Sequence, residues 1–135
     1  MQLEDLIFEW LHKAKQDITS ARFLVDMHPR PLEVIGFHAQ QAAEKSLKAL
    51  LVRAGVTPPR THDLVSLHQM CAEHAEINLG RAYICARLTP YAVEHRYPVE
   101  TTLSEDEVLE DLGYAEELHQ LIREKLDTGT GRRHR

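Results

Sequence analysis

The sequence predicts an all-α protein, an antiparallel up-and-down bundle of about five helices. Apolar residues recur at helical spacing through long segments, which is the pattern of helices that bury one face. Strand signals are absent, because the sequence contains no alternating β-branched runs and no Asn-Gly turns. Prolines and glycines stand between the periodic segments, where they end one helix and turn the chain toward the next.

The first helix is predicted over residues 4–27, and it stops before the proline-rich residues 28–31. Its apolar stripe consists of Leu6, Ile7, Trp10, Ala14, Ile18, Ala21, Leu24 and Val25. The second helix is predicted over residues 32–54, with several small alanines that let a neighbouring helix approach closely. Its apolar face consists of Ile35, Ala39, Ala42, Ala43, Ser46, Leu47, Leu50, Leu51 and Ala54.

A proline elbow separates the second helix from the third. Gly55 follows the last apolar residue, as a C-capping glycine does, and the Pro58–Pro59 pair then prevents the helix from continuing. Thr61 is the expected N-cap of a short third helix over residues 63–74.

The fourth helix is predicted over residues 79–97 and the fifth over residues 104–126. A kink or a split is expected at Pro90 in the fourth helix, because proline suits the first position of a new helix. The fifth begins with the capping box Ser104-x-x-Glu107. Residues 1–127 are therefore expected to form one domain, and the basic residues 128–135 a disordered tail.

Composition indicates a globular protein and restricts its location. Of the residues, 43% are hydrophobic and 27% charged. No apolar run approaches the ~20 residues that cross a bilayer, and the N-terminus does not resemble a signal peptide. Two cysteines outside any CxxC pair favour a reduced, cytoplasmic setting. The net charge of −5 argues against broad affinity for nucleic-acid backbone but leaves room for a local basic groove.

Several segments in a fixed order resemble the HEPN domain family. They are FHAQQAAEKSLKALL at residues 37–51, THDL at residues 61–64, the spaced residues Trp10, Ala14, Asp17, Ile18, Ala21 and Leu24, and a later Tyr91 followed by Arg96, Tyr97 and Pro98. The resemblance runs from Trp10 to Pro98. It implies a helical fold. The family includes both ribonucleases and members without evident catalytic residues.

Three polar residues interrupt the predicted apolar faces. Asp17 lies in the stripe of the first helix, and Gln40 and Glu44 lie at the edge of the second. Burying an unpaired carboxylate costs several kcal/mol, so each carboxylate needs a partner. We expect contacts with Arg96, Tyr91, Tyr97, His62 or one another, and at least one carboxylate paired with Arg96.

The structural polar cluster of Asp17, Gln40 and Glu44 is interpreted as a set of hydrogen-bonded residues that stabilise the bundle, rather than as a site that binds a phosphate or a base. A second polar stripe, His38, Gln41 and Lys45, is interpreted as a solvated face or the rim of a dimer rather than as a ridge that contacts a ligand.

The resemblance allows a test for catalysis. Catalytic HEPN ribonucleases have an arginine that is followed, after four to six residues, by a histidine. A tyrosine often stands two residues after that histidine, and two such motifs meet across a dimer. The histidine moves a proton and the arginine steadies the phosphorane. Here seven residues separate Arg87 from His95, which rotates the two side chains roughly 80° apart on a regular helix. A distortion at Pro90 could realign them, and Tyr97 keeps the His-x-Tyr half.

Other catalytic patterns are weaker. Arg22 and His28 match the spacing literally, but chance alone predicts such matches at this composition. No metal motif and no glycine-rich phosphate loop is present, so we expect neither a metal nor a cofactor.

The resemblance implies a protein that works beside a separate minimal nucleotidyltransferase, in a toxin–antitoxin or nucleotide-handling module. We expect a noncatalytic or weakly catalytic homodimer with a degenerate ribonuclease motif, which binds a nucleotide or RNA phosphate near Arg87, Tyr91, His95, Arg96 and Tyr97. Phe37 and the Tyr83/Tyr91 pair fall outside the core stripes, which favours aromatic surface covered by another chain. The alternative is an enzyme, a metal-independent endoribonuclease that uses His95 with Arg87 or Arg96. In the family, the tyrosine two residues after the histidine, here Tyr97, can be modified by the partner transferase.

Overall fold

The computed structural model describes residues 2–94 and 103–130, and this part of the chain contains six α-helices and no strand. The helices are α1 (Leu3–Val25), α2 (Leu32–Arg53), α3 (Leu64–His74), α4 (Ala82–Leu88), α5 (Tyr91–Glu94) and α6 (Glu105–Thr130). α5 is a single turn, so α4 and α5 together stand where a fourth helix, kinked or split at Pro90, was predicted. The prediction of an all-α helical bundle is confirmed.

Helix α2 lies at the centre of the bundle and packs against each of the other five helices. Its small residues make this possible, because Ala39, Ala42 and Ala43 are completely buried and let the neighbouring backbones come close. α1 packs on both α2 and α6. The largest fully buried apolar side chains come from α2, α3, α4 and α6: Ile35, Leu47, Leu50, Leu51, Leu64, Leu67, Ile84, Leu88, Leu112, Leu118 and Ile122.

The end of α2 has the geometry predicted for it. Gly55 adopts a left-handed φ of +82°, which a residue with a side chain would rarely adopt. Its amide donates to the carbonyl of Val52 at 2.9 Å, and the amide of Val56 donates to the carbonyl of Leu51 at 2.9 Å. These two bonds form a Schellman motif and satisfy carbonyls that the helix leaves unpaired.

The N-cap of α3 is Asp63, so the prediction of Thr61 is wrong. The Asp63 carboxylate accepts from the amide of Val65 at 3.1 Å and from that of Ser66 at 3.4 Å. Thr61 instead accepts from the amide of Asp63 at 3.1 Å. An aspartate is the better cap, because its charge also favours the positive end of the helix dipole.

Helix α4 begins at Ala82 rather than at residue 79, because a turn precedes it. Gly80 has a φ of +66°, and its amide donates to the side chain of Asn78 at 3.0 Å. At the other end of α4, the Thr89 hydroxyl donates to the Cys85 carbonyl at 2.8 Å and accepts from the Leu64 amide at 3.1 Å. Thr89 therefore ties the end of α4 to the start of α3.

Helix α6 starts directly after Ser104, whose hydroxyl accepts from the amide of Glu107 at 3.3 Å, as the capping box predicts. The helix continues to Thr130, so residues 128–130, which were assigned to the tail, are helical. None of the helices in the described ranges is long and apolar enough to span a membrane.

Candidate functional site

Arg87 on α4 is bound by two acidic residues of α6. Its Nε donates to Oδ1 of Asp111 at 2.7 Å and its Nη2 donates to Oε1 of Glu110 at 3.1 Å. The guanidinium also lies 5.4 Å from the centre of the Tyr114 ring. The hydrogen bond with Asp111 raises the pKa of Arg87. The positive charge at this predicted site residue is thus matched by neighbouring carboxylates.

Tyr91 joins the same cluster from α5. Its hydroxyl donates to Oδ2 of Asp111 at 2.6 Å, and its ring lies against the backbone of α2 at Gly36. A Cβ at Gly36 would come within 2.6 Å of Cε1 of that ring, so the close approach requires glycine. Tyr91 is only 8% exposed, so its aromatic surface is covered within its own chain. The expectation that another chain covers Tyr91 is wrong.

A cavity of about 240 Å³ opens beside this cluster. It brings together two of the five residues predicted to bind a ligand, Arg87 and Tyr91, and two carboxylates that sequence reasoning missed. Its lining consists of Arg87, Pro90, Tyr91, Leu103, Glu107 and Asp111. The other three predicted residues, His95, Arg96 and Tyr97, lie outside the described residues.

The signal for Asp111 was present in the sequence. It occupies the apolar stripe of α6, between the fully buried residues Val108 and Leu112, and it is 4% exposed. A carboxylate in that position needs partners just as Asp17 does. The same reasoning would have selected it.

Asp17 on α1 is paired with two residues of α2. Oδ1 lies 2.8 Å from Nδ1 of His38, and Oδ2 accepts from Nζ of Lys45 at 2.7 Å. Asp17 is 8% exposed, and both partners are partly buried. The prediction that this carboxylate is held in a bonded structural contact agrees with the geometry. The expected partner Arg96 lies outside the described residues.

Glu44 on α2 is the centre of a second network. Oε1 lies 2.8 Å from Nδ1 of His62, and Oε2 accepts from Nζ of Lys48 at 2.9 Å. Burial acts to raise the pKa of Glu44, but the hydrogen bonds from His62 and Lys48 outweigh it, so the pKa lies below its usual value. The carboxylate is therefore held ionised inside the bundle.

Two glutamines complete the Glu44 network. The Nε2 of Gln40 donates to Oε1 of Glu44 at 3.3 Å and to the His62 carbonyl at 3.0 Å. The Nε2 of Gln41 donates to Oε1 of Gln40 at 2.7 Å and to Oε1 of Glu44 at 3.3 Å. The network connects α2 to His62, which follows the proline elbow, and it contains the predicted contact between Glu44 and His62.

The interpretation of His38, Gln41 and Lys45 as a plain solvated face is wrong, whereas their place at a dimer rim stays a prediction. All three are partly buried and hydrogen-bonded within the chain, because α1 and α2 pack closely enough for Asp17 to reach two of them. Spacing along one helix could not reveal this, since the partner comes from the other helix.

The described residues give no support to a metal site or to the Arg22–His28 match with the ribonuclease spacing. Within the described ranges, no group of three or more His, Cys, Asp and Glu side chains is placed to hold a metal ion. Arg22, from the literal match to the ribonuclease spacing, donates from Nε to Glu116 of α6 at 2.8 Å.

Comparisons with known proteins agree with this architecture. A solved structure, the crystal structure of TT1696 from Thermus thermophilus, is similar with a TM-score of 0.75 and 21% sequence identity. The similarity covers 88% of this chain and 97% of that chain, and at this identity it shows the fold alone. A search of curated proteins finds no match.

The family comparison is more specific. The model of the family described as HEPN domain matches residues 7–125, which is most of the chain and includes α1 through most of α6. This match supports a general nucleotide- or RNA-related function. The chain belongs to the HEPN domain family.

Proposed function

We propose that this protein is a HEPN homodimer that binds a nucleotide or an RNA phosphate and acts beside a minimal nucleotidyltransferase, in a toxin–antitoxin or nucleotide-handling module. In this proposal its ribonuclease motif is degenerate. Family membership supports the nucleotide- or RNA-related part of the proposal. The dimer, the partner and the ligand are the parts that experiments must test.

The observation that carries the degenerate-motif part of the proposal is the double contact of Arg87 with Asp111 and Glu110. A catalytic arginine must direct its charge at the phosphorane, which requires a guanidinium free to meet the phosphate. Here two carboxylates already take that charge, and Glu107 lines the same cavity. A phosphate at Arg87 would therefore meet net negative charge, which is unfavourable for both binding and transition-state stabilisation.

Phosphate binding is accordingly assigned to His95 and Arg96, with Tyr97 as the position for modification by the partner transferase. Arg87 and Tyr91 then have a supporting role, in which Asp111 connects α4 and α5 to α6. The widened spacing between Arg87 and His95 agrees with an arginine that has taken a structural role.

Incubation of the purified protein with total RNA in the presence of a chelator tests this proposal. We expect no cleavage by the wild type and binding of mononucleotides that is lost in Arg96→Ala. The matched control is Arg60→Ala, which removes an exposed arginine from the proline elbow. Mononucleotide affinity that is unchanged in Arg96→Ala would contradict the assignment.

The same experiment decides the alternative, a metal-independent endoribonuclease. That enzyme would cleave RNA in chelator and lose cleavage in His95→Ala, while His74→Ala, which changes an exposed histidine of α3, would cleave normally. Such a result would replace the binding proposal with catalysis.

The dimer is tested by light scattering during size exclusion, and the partner by co-purification with a minimal nucleotidyltransferase. Tyr83 supports a contact between chains, because it is 55% exposed and extends the aromatic surface of Tyr114. We expect the mass of two chains for the wild type and weaker association for Tyr83→Ser. A monomer at all concentrations would refute the dimer.

A further inference from the structure

Gly113 lies inside α6, at a position where the described part of the chain gives no reason for glycine. A Cβ at Gly113 would meet no atom within 4 Å, and Gly113 does not have a positive φ. Gly36 on α2 is different, because the Tyr91 ring fills the space that its Cβ would take. Glycine disfavours a helix more than any residue except proline, so Gly113 calls for an explanation. The absence of a Cβ lets a group from outside the protomer approach the backbone of α6 closely.

An exposed aromatic pair adjoins this glycine. Tyr114, the next residue of α6, meets Tyr83 of α4 edge to face, with the ring centres 5.5 Å apart and the ring planes at 81°. Tyr83 is 55% exposed, and its ring does not fill the space at Gly113, since no atom comes within 4 Å of a Cβ there. The surface therefore has a projection at Tyr83 and a notch at Gly113.

Two ion pairs flank the glycine. Arg81 donates from Nε to Oε2 of Glu117 at 2.7 Å, and Arg87 donates from Nη2 to Oε1 of Glu110 at 3.1 Å. Glu110 and Glu117 lie three residues before and four residues after Gly113, so the three share one face of α6. We call this surface the Gly113 face, and it consists of Arg81, Tyr83, Arg87, Glu110, Gly113, Tyr114 and Glu117.

The charge of the Gly113 face distinguishes between the molecules that could cover it. Its two exposed arginine–glutamate pairs balance, in a protein whose net charge is −5. A nucleic acid or a strongly basic protein is attracted to a surface of opposite net charge, which these pairs do not provide. A second copy related by a two-fold axis carries both signs, and it can place each arginine near a glutamate of the other chain. Charge complementarity therefore favours a second copy.

We propose that a second copy of this chain packs on the Gly113 face, with the Tyr83 ring of each protomer packed against Gly113 of the other. A two-fold axis makes this contact twice, because each protomer supplies both the ring and the notch. Tyrosine is among the residues that contribute most at protein interfaces. The inference rests on the homodimer of the proposed function, and it adds the surface and the residue pair that join the two chains.

The contact predicts that Gly113→Ala changes the monomer and the dimer in opposite directions. Alanine favours the helix, so the urea midpoint of the monomer should rise. The new methyl group would occupy the space of the Tyr83 ring from the other chain, so the dimer should weaken roughly tenfold. Gly113→Leu adds more bulk and should weaken the dimer further.

Analytical ultracentrifugation of the full-length protein over a range of concentrations measures the dissociation constant of the dimer. Urea denaturation at concentrations below that constant measures the stability of the monomer. Ser66→Leu, at an exposed position of α3, is the control for added bulk and should leave the dissociation constant within about twofold of wild type. If Gly113→Leu fails to fold, Gly113→Ala still tests the proposal.

A double-mutant cycle tests whether the two residues meet across the interface. Once Tyr83→Ser has removed the ring, the methyl group of Gly113→Ala has nothing to overlap. The double variant should therefore dimerise no more weakly than Tyr83→Ser alone, a coupling that independent sites do not show. If Gly113→Ala weakens the dimer equally with and without the ring, the pairing of Tyr83 with Gly113 is overturned.

The outcomes separate this inference from the proposed function. A wild-type dimer whose dissociation constant is unchanged in Gly113→Ala and Gly113→Leu overturns the Gly113 face and leaves the homodimer standing. A protein that is a monomer at all concentrations overturns both. A dimer that survives Gly113→Leu, while co-purification with a minimal nucleotidyltransferase is lost, would assign the face to that partner and also overturn the inference.

Discussion

The hydroxyl of Tyr91 donates a hydrogen bond of 2.6 Å to Oδ2 of Asp111, whose other oxygen accepts from Arg87 at 2.7 Å. Asp111 is buried, so its carboxylate needs the two donors that satisfy it. One side chain of α6 thus holds both α4 and α5 in place.

Removing the hydroxyl tests the strength of this contact. Tyr91→Phe should lower the free energy of unfolding by about 2 kcal/mol, because it deletes a buried hydrogen bond to a charged group. Urea denaturation measures the loss. Tyr83→Phe, which changes a half-exposed tyrosine, should stay within about 0.5 kcal/mol of wild type. Equal losses of unfolding free energy in the two variants would mean that the hydrogen bond to Asp111 stabilises the fold no more than the hydroxyl of Tyr83 does.

A glycine-to-alanine pair tests the packing of Tyr91 on α2. Gly36→Ala should destabilise the fold by about 1–3 kcal/mol, because the new methyl group would overlap the Tyr91 ring and force it to move. Gly113→Ala is the matched control, since a Cβ there meets no atom within 4 Å. It should stabilise α6 by up to about 1 kcal/mol through helix propensity. Stabilisation by both substitutions would show that the ring is free to move away.

Acidification should destabilise the protein in two stages. Burial lowers the pKa of His68 below its ordinary 6.5, and its Nε2 accepts from the amide of Arg81 at 3.1 Å, which requires a neutral ring. The unfolded chain takes up the proton first, so this stability is complete above pH 6.5 and is lost as the pH falls through the folded pKa. His119, whose pKa is also lowered, acts in the same direction. Glu44 adds a second loss below pH 4.5, because its pKa is lowered.

Urea midpoints measured at several pH values across this range give the slope of stability against pH. His68→Gln keeps an acceptor for the Arg81 amide but cannot titrate, so it should reduce the slope below pH 6.5. His74→Gln, at an exposed position of α3, should leave it unchanged. A slope that is the same in both variants would exclude His68 as a source of the pH dependence.

The two cysteines should be inert in the folded protein. Cys71 and Cys85 are completely buried, and burial raises the pKa of each thiol to about 12. Because the thiolate is the reactive form, a colorimetric thiol reagent should detect neither at mildly alkaline pH and both in denaturant. Ser66→Cys, at an exposed position of α3, should react at once and serve as the positive control. Rapid reaction of a native thiol would indicate local opening of the core.

The sequence predicted the helices well because their apolar spacing reports directly which face is buried. Asp17 and Glu44 each interrupt such a face, and each carboxylate has bonded partners, as a buried charge requires. Their partners were harder to predict. Asp17 pairs with His38 and Lys45 because of how α1 crosses α2, and this relation between helices is not encoded in the spacing along either one.

The misses have local physical reasons. The N-cap of α3 depends on the backbone angles of residues 61–63, where two good capping residues compete. The late start of α4 depends on the positive φ of Gly80. Asp111 and His119 were detectable, because both lie in the apolar stripe of α6.

The burial of Cys71 and Cys85 has a practical consequence for testing the proposed dimer. A spin label would attach only to an introduced surface cysteine, because the two native cysteines are buried. They pack between α2, α3 and α4 and would not need to be replaced first. Electron paramagnetic resonance on the otherwise native chain can then measure label separations across a symmetric pair directly.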